Sequence, residues 1–265
     1  MDAGRRPRPF AHTGQHFDIS GEFTVPRSPQ GTRRHSGGDS DEGREFAASA
    51  ADVIFTRHGT LEAGRVFYAD VKARLAKYGR EPGDLKIMPG VTVVVGDTDA
   101  EAQQDAADIR RLQVSPQNAI LAAEQVWGRD LSSYDPDGPL PEIDPDPGSG
   151  LVQGRVGIAD PLAVAARWRA LSQAKGLSIR QTVIESTARQ SFIGSPVTVA
   201  AALAEFVVTD AADGFILVPH LTPGGLDAFV DRVVPLLQER GAFRSEYTGS
   251  TLRSHLGLAE PVWKG

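Results

Sequence analysis

The chain contains no cysteine, few aromatic residues and no long apolar run. Its 265 residues include 2 Met, 3 Trp and 4 Tyr, and aromatic residues make up 7% of the total. The absence of cysteine excludes a disulfide scaffold, a thiolate zinc site and a cysteine nucleophile. No segment approaches the roughly 18–20 apolar residues that cross a bilayer, and Met1–Arg8 does not resemble a signal peptide. These features predict a soluble, cytoplasmic protein.

An excess of basic residues is also missing. Lys and Arg total 28 against 34 Asp and Glu, which gives a formal net charge of -6. A mildly acidic chain without a basic tract lacks the charge pattern expected for binding to nucleic acid or an anionic membrane. We therefore expect neither as a partner. Apolar residues at 40% and charged residues at 23% instead predict a folded core, in one large domain or two small ones.

Apolar runs alternate with helical patterns through much of the chain. Ala51–Thr56 has the composition of a buried parallel strand, Leu85–Val95 predicts one long or broken strand, and Gly214–Val218 is a further strand candidate. Helix starts are predicted at capping residues, which are Thr60, Thr98, Asp160, Ser195 and Thr222. Alternating strands and helices are typical of βαβ units, so the predicted fold class is α/β with a parallel sheet.

Residues 130–158 interrupt this alternation. Tyr134–Gly150 contains 5 prolines and 5 acidic residues, which indicates a long irregular connection. Two interpretations fit, a surface insertion and a mobile lid. The fragment Asp135-x-Asp137-Gly138 has a faint similarity to a calcium loop, but the later ligands of such a loop are missing.

Gly37–Arg44 is rich in glycine and leads directly into a predicted helix. Free backbone amides and the positive end of the helix dipole attract phosphate at such a place, and Ser40 adds a hydroxyl donor. An ordinary capped loop explains the same residues, and Asp39, Asp41 and Glu42 would put negative charge beside a bound anion. The local sequence by itself favours the capped loop.

The histidines form no metal-binding pattern in the sequence. His12 and His16 are four residues apart, but Gly14 and the loop-like composition around it weaken a shared helical face. Capping or solvated roles are the commoner explanation for such histidines. We therefore predict no metal site and assign no catalytic residue.

Six segments, in order along the chain from about Phe10 onward, carry a family resemblance. They are Phe17–Gly31, Phe67–Lys72, Leu131–Pro141, Ala212–Phe215, Leu226–Pro235 and Phe243–Arg253. Together they resemble the bacterial-luciferase-like flavin monooxygenases. The similarity is greatest to the branch that includes nitrilotriacetate monooxygenase and dibenzothiophene-sulfone monooxygenase.

The resemblance implies a monooxygenase that uses reduced FMN and dioxygen to oxygenate a small organic substrate. A separate NAD(P)H:flavin reductase would supply the reduced FMN. The family holds the flavin phosphate in a Gln-Ala-Gly-x-Ser-x-x-Gly turn after its fifth barrel strand, and the serine of that turn corresponds to Ser40. The resemblance therefore favours phosphate binding by Ser40, assisted by the backbone amides of Asp39 and Asp41.

The resemblance also implies the C-terminal half of a luciferase-like TIM (β/α)8 barrel, with an insertion at 130–158 and extra helices. Residues 1–38 are expected to form an irregular segment with a degraded fifth strand, and residues 39–265 the C-terminal part of the domain. Because the absent strands would carry most flavin-ring and substrate contacts, we expect the chain to be inactive alone. The alternative is a non-catalytic remnant or interaction protein that forms homo-oligomers through exposed barrel edges.

The strand before the glycine-rich loop departs from the family pattern. The family has an apolar strand that ends in Gln-Ala-Gly, whereas Thr32–Gly38 is polar and one residue shorter. Arg33 and Arg34 would be costly in a barrel wall unless they were paired. Plausible codons for these residues, read one base later, can give Pro-Val-Val-Ile-Gln-Ala-Gly, so we predict a local frame disruption, either genuine or a sequencing artefact, that is restored before Asp39. Resequencing the gene tests this prediction, and a shifted frame without an apolar strand would contradict it.

Overall fold

A computed structural model of the protein describes residues 9–22, 24, 35–37, 40–58, 60–148, 160–187 and 191–259. The chain divides into two compact units. Unit 1 consists of the described parts of Met1–Val91, Leu203–Leu217 and Leu237–Gly265. Unit 2 consists of the described parts of Thr92–Ala202 and Val218–Leu236.

Strands and helices alternate along the described chain, as the sequence predicts. In chain order they are β1 (Pro9–Thr13), β2 (Asp18–Glu22), β3 (His35–Gly37), α1 (Asp41–Ala50), β4 (Val53–Thr56), α2 (Leu61–Leu75), β5 (Lys86–Val95), α3 (Asp99–Gln113), α4 (Pro116–Trp127), α5 (Pro161–Lys175), α6 (Ile179–Thr187), β6 (Ser191–Gly194), α7 (Pro196–Val208), β7 (Ile216–Leu217), α8 (Asp227–Arg232), α9 (Val234–Glu239) and α10 (Leu252–His255). Side chains of Thr60, Thr98 and Asp160 cap α2, α3 and α5 as predicted.

Unit 1 contains a parallel sheet built from β3, β4, the first part of β5 and β7. Ile54 of β4 lies opposite Ile87 of β5, and Gly90 of β5 lies opposite Ile216 of β7. A Cβ atom at Gly90 would lie 2.6 Å from the ring of Phe55, so a larger residue here would have to displace that ring. Helices α1 and α2 make the crossovers that parallel neighbours need. The predicted α/β class with a parallel sheet is confirmed.

The core of unit 1 joins both crossover helices to the sheet. Phe67, Val71 and Leu75 are buried and recur every four residues along one side of α2. They belong to a cluster of buried side chains that also contains Ala47, Ala48, Ala51, Ile54, Leu85 and Ile87. The small alanines of α1 let that helix approach closely, because a larger side chain would hold it away.

A buried ion pair connects helix α2 to strand β5 in unit 1. The Lys72 ammonium of α2 donates to the Asp213 carboxylate at 2.9 Å, and the Ile87 amide of β5 donates to the same carboxylate oxygen at 2.7 Å. Tyr68 donates to the other oxygen at 3.2 Å. The side chain of Lys72 is only 8% exposed, and its remaining hydrogen bonds go to the carbonyl groups of Pro82 and Leu85. Full pairing makes this burial of charge tolerable.

Unit 2 is mainly helical. The last residues of β5 pair in parallel with β6, from Thr92 opposite Ser191 to Val95 opposite Gly194. A second core joins α4, α5 and α6, and its buried members include Ala119, Ala123, Trp127, Ala165, Trp168, Ile179 and Val183. The aromatic rings of the two tryptophans lie 6.1 Å apart at a tilt.

The irregular segment after α4 is anchored to the helices of unit 2. Trp127 donates from its indole nitrogen to the Ile143 carbonyl at 2.8 Å. Arg169 donates to the carbonyl groups of Pro141, Glu142 and Ile143 and pairs with Asp144 at 2.9 Å. These contacts favour the surface-insertion interpretation over the mobile lid for residues 130–148. The predicted insertion continues through residues 149–158, which lie outside the described residues.

Three local structures differ from the sequence-based expectations. Residues 9–22 form the antiparallel hairpin β1–β2, exposed throughout, where irregular chain was expected. Strand β6 was not predicted, because only its pairing with β5 distinguishes four residues between two helices. The helix predicted after Thr222 starts at Asp227 instead, and it separates into α8 and α9 just before Pro235, which is tolerated in the first turn of α9 but has no amide to continue α8.

Strand β3 lies within the predicted degraded fifth strand. It pairs in parallel with β4, while residues 32–34 and 38 lie outside the described residues. In the strand order of the described chain, β3 is the outermost strand next to β4.

Over the part of the chain that the structure describes, no helix is both long and apolar enough to span a membrane.

Replacement of Asp213 by asparagine should destabilise unit 1. The substitution leaves the buried Lys72 ammonium without a counter-charge. Removing one partner of a buried ion pair lowers the unfolding free energy by about 3–5 kcal/mol. The free energy of unfolding, measured by urea denaturation, reports the change. Glu62→Gln is the control, because its exposed pair with Arg65 is worth at most about 1 kcal/mol. Equal effects of the two substitutions would contradict a structural role for the Lys72–Asp213 contact.

Candidate functional site

Ser40 stands at the start of α1 as its N-cap. Its hydroxyl oxygen accepts a hydrogen bond from the Gly43 amide at 3.1 Å, and its backbone is extended with φ -76° and ψ 160°. The side chain is exposed. The capping interaction uses the hydroxyl oxygen as acceptor, so the hydroxyl hydrogen remains available as a donor.

The start of α1 also lies at the end of a sheet where ligands bind in parallel α/β folds. Strand β3 ends at Gly37, and α1 begins at Asp41. Loops after the carboxyl ends of parallel strands form the active sites of TIM barrels. The first backbone amides of a helix have no partner within the helix, and the dipole favours an anion there. This end of α1 is therefore a suitable place for a phosphate.

The acidic side chain beside the N-terminus is compensated by α2. Asp41 pairs with the Arg74 guanidinium at 2.6 Å. Arg74 also binds Asp70 at 2.9 Å and Glu45 at 3.3 Å. One of the three acidic side chains that weigh against phosphate binding in the sequence, Asp41, is thus paired with a cation in the structure.

Two arginines hold α1 against its surroundings in unit 1. Arg44 of α1 pairs with Asp70 of α2 at 3.0 Å. Arg80 donates to the carbonyl groups at the end of α1, namely those of Ala47, Ala48 and Ala51, and to the carbonyl of Asp84. The last carbonyl groups of a helix have no partner within the helix, so Arg80 satisfies groups that would otherwise need water. Ser40 and Arg80 therefore fix opposite ends of α1.

Glu45 is the most strongly perturbed carboxyl group near the site. It accepts hydrogen bonds from Lys77 and, at 2.6 Å, from the Tyr78 hydroxyl. These bonds, with Lys77 contributing most, lower the pKa of Glu45 from 4.5 to about 2. Because the charged form is the one that is stabilised, Glu45 contributes to the docking of α1 when it is ionised.

Within the described residues, His12, His16 and the calcium-like fragment are not part of a metal site. His12 lies in β1 and His16 in the turn that follows it, and both are exposed. The Asp135 carboxylate accepts a hydrogen bond from the Asp137 amide at 2.9 Å, within its own turn. Across the residues that the structure describes, no group of three or more His, Asp or Glu side chains is arranged to hold a metal ion.

Comparison with known proteins identifies the family. The family profile described as luciferase-like monooxygenase matches residues 3–214. The chain belongs to this family. Nitrilotriacetate monooxygenase component A of Aminobacter aminovorans is 41% identical, over 94% of this chain and 54% of the relative. N-acetyl-S-(2-succino)cysteine monooxygenase of Bacillus subtilis strain 168 is 37% identical, over 95% of this chain and 56% of the relative. The chain spans about half the length of the curated relatives it matches.

Two solved structures have a similar fold. EDTA monooxygenase from Chelativorans sp. BNC1 matches with a TM-score of 0.63 and 31% identity, over 95% of this chain and 57% of that one. Riboflavin lyase, solved with modified FMN and riboflavin, matches with a TM-score of 0.67 and 29% identity, over 97% of this chain and 54% of that one. The resemblance inferred from the sequence and the predicted fold, part of a luciferase-like TIM barrel, are confirmed.

The residues at the start of α1 fit a phosphate group. Ser40 supplies an exposed hydroxyl, the first turn supplies amides, and Arg74 compensates Asp41. Asp39 lies outside the described residues, so its amide contact stays a prediction. Arg74 and Arg80 could not be predicted from the sequence, because their partners in α1 lie about 30 residues earlier and no local pattern joins them.

The contribution of Glu45 to stability should depend on pH. A carboxyl group with a lowered pKa stabilises the folded state above its unfolded pKa of about 4.5, and this stabilisation is lost as the pH falls toward about 2. We expect the difference in unfolding free energy between the wild type and Glu45→Gln to be largest at pH 6 and to shrink below pH 4.5. Urea denaturation from pH 6 to pH 3 measures it.

Glu62→Gln serves as the control for this experiment, since it removes a carboxylate from an exposed face of the neighbouring helix. If the difference in unfolding free energy between the wild type and Glu45→Gln stays constant from pH 6 to pH 3, the lowered pKa of Glu45 is contradicted.

Proposed function

We propose that this chain takes part in flavin-dependent monooxygenation and that the N-terminus of α1 binds the phosphate of FMN. The observation that carries the proposal is the position of Ser40 as an exposed cap directly after a parallel strand, in a chain that belongs to the luciferase-like monooxygenases. A structural relative, riboflavin lyase, was solved with a modified FMN, which supports a flavin as the ligand class.

In this proposal, three groups bind the phosphate. Ser40 donates its hydroxyl hydrogen to a phosphate oxygen, and the backbone amides of Asp39 and Asp41 donate to the others. Hydrogen bonds to a charged acceptor are about twice as strong as those between neutral groups. Arg74 withdraws the Asp41 carboxylate from the anion by pairing with it at 2.6 Å. The positive end of the α1 dipole adds to the attraction.

The proposed reaction oxygenates a small organic molecule. Reduced FMN, when bound, supplies the electrons that activate dioxygen. The contribution of this chain is to hold the phosphate end and so to orient the flavin. The designation "component A" of the nitrilotriacetate monooxygenase supports a second protein, for which we propose an NAD(P)H:flavin reductase. A cytoplasmic location, where NAD(P)H is available, is part of the same proposal.

We further propose that the chain alone binds FMN without turning over substrate. It spans about half the length of its curated relatives, and the phosphate is one end of the flavin. Phosphate binding needs only Ser40 and the first turn of α1, whereas oxygenation also requires the flavin ring and the substrate to be enclosed away from water. No observation favours the alternative of a non-catalytic interaction protein over membership of the enzyme family.

FMN binding tests the site directly. The fluorescence of FMN should be quenched in a saturable manner by the purified chain. Ser40→Ala should weaken the binding about tenfold or more, because a hydrogen bond to a charged group contributes about 1.5–3 kcal/mol. The measurement is fluorescence titration, repeated with inorganic phosphate as a competitor. The same preparation, given NADH, a flavin reductase and nitrilotriacetate, should form no oxygenated product.

Ser115→Ala is the matched control for Ser40→Ala. Ser115 caps α4 by accepting from the Asn118 amide at 3.1 Å, the same geometry as at Ser40, so both substitutions remove one helix cap. Only Ser40→Ala should reduce the affinity for FMN. Equal losses, or no binding by the wild type at high micromolar FMN, would refute the phosphate site.

A further inference from the structure

Unit 2 contains a cavity of about 380 Å³ that the proposed flavin function does not use. The last residues of β5, strand β6 and helices α3 and α6 form its walls. Its apolar lining includes Val94, Ala106, Ile109, Ile184 and Ile193. At the ~30 Å³ that a water molecule occupies in the liquid, this space suits a ligand of roughly ten to fifteen non-hydrogen atoms.

A small number of polar side chains converge on this apolar space. Arg110 and Gln113 come from α3, and His220 comes from the segment after β7. Ala106, Arg110 and Gln113 recur at helical spacing, so Arg110 lies on the side of α3 that faces the cavity. Apolar walls with a few convergent polar groups are the usual composition of a ligand pocket.

Two of these polar side chains lack partners within the described protein. The Nδ1 atom of His220 is buried and makes no hydrogen bond. Arg110 is partly buried, and its guanidinium forms no ion pair or hydrogen bond with another described residue. Buried polar groups are nearly always satisfied, and a cation beside apolar walls is costly without a counter-charge.

We propose that this cavity binds a small organic carboxylate with an apolar body. Arg110 would pair with the carboxylate, since a guanidinium matches the geometry of two carboxylate oxygens. His220 would donate from Nδ1 to the same group. The apolar body would lie against the valine, alanine and isoleucine side chains of β5, β6, α3 and α6. The bound anion thereby satisfies both groups that the described residues leave unpaired.

This proposal is separate from the phosphate site at Ser40. All residues that line the cavity belong to unit 2, whereas Ser40 belongs to unit 1. In the cavity, a guanidinium in an apolar space would recognise a carboxylate. At the start of α1, a hydroxyl and backbone amides would recognise a phosphate. Failure of FMN binding therefore leaves the carboxylate site standing, and the reverse also holds.

The test is isothermal titration of the full chain with 4-phenylbutyrate, which has 12 non-hydrogen atoms, about the number that the cavity admits. The acid should bind saturably, and its amide of equal size should bind at least tenfold more weakly. Arg110→Gln should weaken binding of the acid by about tenfold or more. His220→Phe replaces the imidazole with an aromatic ring that has no hydrogen-bond donor, and it should weaken binding about threefold to tenfold.

Arg111→Gln provides the control, because Arg111 is the next residue of α3 and is exposed. It should bind 4-phenylbutyrate within twofold of the wild type, and so should Ser40→Ala. Circular dichroism establishes that each variant is folded. Equal affinity for the acid and the amide, equal effects of Arg110→Gln and Arg111→Gln, or no heat of binding at millimolar 4-phenylbutyrate would overturn the proposal.

Discussion

The Asp213 carboxylate is the contact on which the arrangement of unit 1 depends. It joins the Lys72 ammonium of α2 to the Ile87 amide of β5, and the backbone amide of Asp213 in turn donates to the Ile87 carbonyl at 2.9 Å. Helix, central strand and the turn before β7 therefore meet at one carboxyl group. Both charged side chains are largely buried, so each is tolerated only because the other is present. This requirement restricts where α2 lies on the sheet.

The position of α2 determines the surroundings of the candidate phosphate site. Arg74 and Asp70 of α2 pair with Asp41 and Arg44 of α1, so the docking of α1 is a matter of charge as well as of packed alanines. The same pairing compensates Asp41, one of the three acidic side chains that the sequence places beside an anion at the start of α1. In the cavity of unit 2 the situation is the opposite, because no described residue pairs with Arg110 and a ligand would have to supply the counter-charge.

Much of the fold could be predicted from local patterns. The runs around β4 and β5 are apolar because both faces of a parallel sheet are covered, and the caps at Thr60, Thr98 and Asp160 mark helix starts through side-chain bonds to nearby amides. Strand β6 and the hairpin β1–β2 could not be predicted in this way. Their residues carry no distinct periodicity, and pairing with another strand alone defines them.

The candidate site also has some features that local sequence indicates and others that only the folded chain brings together. The order of residues was enough for the family resemblance and the α/β class, which follow from residue types and their periodicity, and for the serine at the helix start, which caps an amide three residues away. Which charges meet is a property of the folded chain alone. Asp213 and Lys72 are 141 residues apart, and Arg74 and Asp41 are 33 residues apart. Such pairs form where packed helices bring side chains together, and no pattern along the chain specifies that meeting point.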